Sequence, residues 1–167
     1  MTTRTIYASS THLIATIDDL FVAAFVGEPS EAAARAQEDG LAAFVAHVPA
    51  PRSYVQLARL TSSTASSGSL DAMRRTYARI ARAHKTDFVT AALVLYEDGF
   101  GAALVRGVLT GVGMMVQGHV KVRAFEALPS ALAWSDGERR ARQLSPIGVG
   151  VAREIQRVLT QARHELA

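Results

Sequence analysis

Residues 13–26 read Leu-Ile-Ala-Thr-Ile-Asp-Asp-Leu-Phe-Val-Ala-Ala-Phe-Val, two apolar β-prone runs separated by Asp18 and Asp19. An adjacent carboxylate pair between such runs reads as a turn, which makes 13–17 and 20–26 strands. A shorter β-prone run, 5–8, precedes them. Connectors this short permit only antiparallel neighbours, because parallel pairing needs a long crossover. The chain therefore opens as a three-stranded meander that stops at Gly27.

Beyond Gly27, helix and strand alternate. Ser30 reads as an N-cap with Glu31 in the first turn, and Leu41, Phe44, Val45 and Val48 recur at helical spacing, so a helix is expected over 30–48. Residues 54–60 read as a strand of mixed polarity, 61–68 (TSSTASSG) as a small-residue loop, and 69–85 as a second helix. The run 88–96 (FVTAALVLY) lacks any charge, and such a strand is expected to be central, the most buried, and covered on both faces. Residues 100–117 read as a glycine-containing helix and 120–125 as an edge or half-exposed strand with Lys121 and Arg123 alternating outward. A short turn of helix is expected over 129–134, and an amphipathic helix over 146–166 with Ile147, Val151, Ile155, Val158 and Leu166 on one side. Arg139, Arg140 and Arg142 read as a solvated connector between them. The predicted order is βββ-α-β-α-β-α-β-α-α, an α/β fold with a mixed sheet and right-handed crossovers. Residues 1–135 make the domain, and 136–167 are a helical extension of it. The apolar stripe of that extension must cover the sheet or meet a second copy, and a homodimer is the expected form.

The 167 residues contain 49% apolar and 20% charged side chains, enough to bury a core, and no cysteine. Disulfides, thiolate metal sites and cysteine nucleophiles are thereby excluded. The net charge of +3 is too modest for a dedicated nucleic-acid binder, so no nucleic-acid partner is expected. Sixteen arginines against two lysines, with abundant alanine, suggest a GC-rich bacterial coding bias. No signal-peptide pattern opens the chain, and the apolar stretch 100–116 carries Arg106 and falls short of the roughly 20 residues of a membrane span. A cytoplasmic protein without membrane partners is the simplest expectation.

Few residues nominate chemistry. Histidines 12, 47, 84, 119 and 164 share no metal-ligand spacing; His12 and His119 fall in predicted turns and the others near helix ends. No metal and no cofactor are expected. Glu97-Asp98-Gly99 follows the predicted central strand, where open α/β sheets take ligands, although a polar turn before a helix reads the same way. Gly99-Phe100-Gly101 lacks the third glycine of a dinucleotide loop, and neither a Walker loop nor a GxSxG elbow occurs. Arg75, Arg79 and Arg82 share one face of the second predicted helix; a solvated face is the ordinary explanation and an acidic protein partner the next.

Two stretches resemble a known family. Residues 60–73, with Ser66-Ser67-Gly68 between a strand and a helix, resemble the switch loop of STAS domains, the fold of anti-sigma-factor antagonists. Their loop reads Asp-Ser-Ser/Thr-Gly-Leu; here Ala65 stands at the aspartate place and Ser69 intervenes before Leu70. Residues 100–111, 120–125 and 128–134, with Arg106 and Trp134, are similar to uncharacterised STAS-like or CRAL-TRIO-like bacterial proteins. The resemblance implies a STAS-like fold and a non-enzymatic regulatory or protein-interaction role in signalling. It also implies a phosphorylation switch at Ser66 and a partner such as a kinase or regulator. Ser67, Gly68, Glu97 and Asp98 are the candidate ligand or partner loop. The alternatives are a small-ligand binder or enzyme with its pocket near Glu97 and Asp98, and a structural homo-oligomer.

Overall fold

The computed structural model describes residues 1–27, 30–59, 75, 78–80, 82–84, 86–96 and 120–162. Its strands are β1 (Thr3–Ala8), β2 (His12–Ile17), β3 (Leu20–Val26), β4 (Ser53–Arg59), β5 (Thr90–Leu95) and β6 (Lys121–Phe125). Its helices are α1 (Glu31–His47), α2 (Leu128–Ala141) and α3 (Val151–Gln161), and residues 75, 78–80, 82 and 83 are also helical. The described strands form one sheet in sequence order, β1-β2-β3-β4-β5-β6. The first three pair antiparallel and the last four parallel, so β3 belongs to both halves. This is a mixed α/β fold with packing helices that include one at the C-terminal end of the described chain.

The Asp18-Asp19 turn works as its composition predicts. Asp18 takes a positive φ of 49°, which a short polar side chain tolerates, and Ile17 faces Leu20 across the hairpin. The two-residue period then sorts side chains onto two faces. Ile14, Phe21, Ala23 and Phe88 meet Leu41 and Phe44 of α1 on one face. Leu13, Ile17, Leu20, Val22, Leu57 and Val94 lie on the other, under α2 and α3. The Ser30 hydroxyl caps α1 by accepting from the Ala33 N–H at 3.1 Å. Arg52 reaches back to donate to the Val48 carbonyl and, at 2.7 Å, to the Val45 carbonyl, satisfying groups that the helix end leaves open. Gly40 lets α1 lie close to β1, since a Cβ there would stand 3.2 Å from Ile6 Cδ1.

Several expectations are corrected. The strand expected to be central is one place off centre, β5 lying between β4 and the edge strand β6; it is buried at every position but Ala91, just as β3, at the join of the two halves, is at every position but Val26. His12 is not in a turn but opens β2, buried, stacked on Phe25, with Nδ1 2.8 Å from Thr11 Oγ1. The short helix expected at 129–134 runs on to Ala141. Its buried positions are Leu128, Ala131, Leu132, Ser135 and Arg139, so a serine and an arginine carry the inward stripe where a hydrophobicity pattern stops. Residue 135 lies within α2. Residues 146–150 are a turn and not the start of a long helix; Gly150 has φ 97°, which favours glycine. Ile147, Val151, Ile155, Val158 and Leu159 are buried in the core they share with β2–β5, so the stripe that suggested a dimer is covered by this chain's own sheet. Leu166 lies outside the described residues. Among the described residues no helix is long and apolar enough to cross a membrane.

Candidate functional site

Parallel strands align their carboxyl ends, and in open α/β sheets that is where ligands bind. Here the end is built from Gly27 after β3, Arg59 closing β4, Tyr96 after β5 and Phe125 closing β6. The Gly27 N–H donates to the Arg59 carbonyl at 2.9 Å, and the Tyr96 N–H donates to the Ala58 carbonyl at 3.0 Å, so Arg59 and Tyr96 leave the sheet side by side. Gly27 needs its left-handed φ of 73° for the chain to turn away there. Burial raises the Tyr96 phenol above its ordinary pKa, against the opposing pull of the Arg59 cation. Tyr96 is thus a neutral hydroxyl at physiological pH, next to a guanidinium.

Ser66, Ser67 and Gly68 follow Arg59 in the chain, and Glu97 and Asp98 follow Tyr96 directly. All five lie outside the described residues, as does Arg106. What the structure does establish is that the two segments carrying them depart from adjacent strands at the same end of the sheet. The basic face is described: Arg75, Arg79 and Arg82 are exposed, and Arg79 forms an ion pair with Glu38 of α1. That pair removes part of the charge an acidic partner would meet.

The opposite end is filled from within. Arg139, expected in a solvated connector, is fully buried. It donates to Ser53 Oγ at 3.1 Å and to the Ser145 carbonyl at 2.6 Å, and it pairs with the Asp19 carboxylate. The Thr90 hydroxyl donates to the same Ser53 oxygen at 3.0 Å. Asp19, Ser53 and Thr90 stand at the amino ends of β3, β4 and β5, so one arginine from α2 ties three strands and the 142–150 turn together. No local pattern announces this cluster; its only sequence signal is the polar residue that opens each of two apolar strands.

Two further polar groups are structural. Gln37 Nε2 donates to the Tyr54 hydroxyl at 2.9 Å, which donates to the buried Gln56 Oε1 at 2.6 Å, satisfying an amide set in an apolar face. On α3, Glu154 accepts from Arg157 Nε at 2.8 Å and from the Thr3 hydroxyl of β1 at 2.5 Å. These bonds, Arg157 first, hold its carboxyl down to about 2. A depressed acid contributes stability above its unfolded pKa and loses it as pH falls through the folded one. Acidification from about pH 4.5 to 2 should therefore progressively erase the difference in melting temperature between wild type and Glu154→Gln. A gap that stays constant across that window would show that the carboxylate does not stabilise the join of α3 to β1.

A cleft of about 430 Å3 lies between α2 and the segment 146–152 that leads into α3, lined by Leu132, Asp136, Arg140 and Ile147 among others. Its polar groups are engaged locally: Asp136 Oδ1 accepts from the Ile147 N–H at 2.6 Å and the Asp136 carbonyl from Arg140 Nε at 3.3 Å. Among the described residues no group of three or more histidine, aspartate or glutamate side chains could hold a metal ion. No family model matches the sequence, and no curated protein or solved structure shows significant similarity to it.

Proposed function

We propose that the chain is a non-enzymatic, STAS-like protein-interaction module that acts in bacterial cytoplasmic signalling and takes its partner at the carboxyl end of the sheet. The observation that carries this reading is the departure of the two candidate segments from adjacent points, Arg59 and Tyr96, while the amino end is closed by the Arg139 cluster. Ser66 is the proposed switch: phosphate there would add about −2 charge beside the partner surface. Ser67, Gly68, Glu97 and Asp98 supply the polar contacts.

Comparative affinity capture tests it. The tagged wild-type chain should retain one stoichiometric protein partner, which Arg59→Ala/Tyr96→Phe loses and Ser66→Asp weakens, with all three chains folded by circular dichroism. A partner retained equally by every variant would contradict the reading. A second reading, a small anionic ligand held by Arg59 and the Tyr96 hydroxyl, is favoured by that neutral phenol beside a guanidinium. It predicts loss of a copurifying small molecule in place of a protein.

A further inference from the structure

The sheet has two edges, and they differ. On β1 the register with β2 shifts between Thr5 and Tyr7, an irregularity of the kind that blunts an edge against further pairing. β6 pairs with β5 from Lys121 to Phe125 without a slip, and among the described residues nothing pairs with its outer side. The Lys121 N–H donates to the Val89 carbonyl at 3.1 Å. By the alternation of a parallel ladder, Lys121, Arg123 and Phe125 bond inward while the N–H and C=O groups of Val122 and Ala124 face outward.

The side chains at this edge have a definite chemistry. Lys121, Arg123 and Phe125 lie opposite Thr90, Ala92 and Val94, on the face covered by α2 and α3. Lys121 and Arg123 are exposed, with the Arg123 guanidinium 5.3 Å from the centre of the Phe125 ring. Phe125 in turn meets Trp134 of α2 at 5.3 Å between ring centres. Val122 and Ala124, on the other face, are half-buried. Glu126 follows the strand directly in the sequence.

We propose that β6 is a docking edge for an extended acidic segment of another protein, added to the sheet as a further strand. Outward backbone groups supply the affinity, and Lys121 and Arg123 select acids at alternate positions of the incoming strand. The Phe125–Trp134 pair takes an apolar residue at its end. A second copy of this chain is the wrong occupant, because pairing β6 with itself sets lysine and arginine against each other, and like charges facing across strands destabilise. The same cations that deter apolar or basic strands from an open edge admit an acidic one. This inference does not rest on the carboxyl-end reading, and either can fail alone.

The test uses the full chain and two blocked peptides of about six residues, the length of an ordinary strand, one alternating valine with glutamate and the other valine with lysine. Trp134 is the sole tryptophan and reports binding by its fluorescence. The glutamate peptide should give a saturable change that weakens with added salt, and it should slow hydrogen exchange at the Val122 and Ala124 amides. The lysine peptide should do neither. Lys121→Glu/Arg123→Glu should weaken the glutamate peptide by about tenfold or more and favour the lysine one. Val122→Pro removes an outward donor without touching the β5 ladder and should abolish binding of the glutamate peptide, circular dichroism confirming the fold. Equal responses to both peptides, no saturation with the glutamate peptide, or unchanged binding in the charge-reversed chain would each overturn the proposal.

Discussion

Arg139→Ala should destabilise the fold by about 3 kcal/mol, the lower end of what breaking a buried ion pair costs, because the Asp19 side chain keeps 31% of its exposure. The truncation removes the ion pair with Asp19 and the donors to Ser53 and the Ser145 carbonyl. In a chain of this size each kcal/mol moves the melting temperature by about 2–4 °C, so a fall of about 6–12 °C is expected. Arg140→Ala, one residue on and exposed, should stay within about 0.5 kcal/mol. Asp19→Asn combined with Arg139→Ala should cost less than the sum of the two, since both remove one interaction. An Arg139→Ala protein that melts with wild type would show that the cluster does not hold α2 to the strands.

Phe21→Ala should cost about 3–5 kcal/mol, the range for deleting a buried phenylalanine. Phe21 is fully buried in β3, with its ring 5.6 Å from Phe44 edge-on and 5.8 Å from Tyr54 stacked. Its loss leaves a hole between α1 and the sheet at the strand that belongs to both halves, and neighbours on two elements cannot all move to fill it. Denaturant melts measure it. A cost below about 1 kcal/mol, more typical of a volume-conserving core swap, would mean that α1 is not packed on β3 as described.

Local patterns made the meander, α1 and the edge character of β6 legible, because each comes from a period of two or 3.6 bounded by turn residues. The second half of α2 was not legible. Ser135 and Arg139 occupy its inward stripe, and the groups that make an arginine welcome there lie 120 residues away at Asp19 and 86 away at Ser53. The ion pair of Arg79 with Glu38 likewise joins two helices 41 residues apart. For the candidate site, the order of strands pointed to the carboxyl end. Arg59 and Tyr96 went unnoticed because half-polar residues at strand ends read as boundaries. Their adjacency comes from the parallel pairing of β4 with β5, which no spacing in the sequence encodes.

The central claim, that the carboxyl end of the sheet is the binding end, is tested most directly by photocrosslinking in living cells. A photoreactive residue is placed singly at Ser67, Asp98, Arg82 or Val149, the last fully exposed beside the turn that Arg139 anchors at the amino end. The account predicts adducts to one and the same protein from positions 67 and 98 and none from 149. Adducts from 149 or 82 with none from 67 and 98 would contradict it.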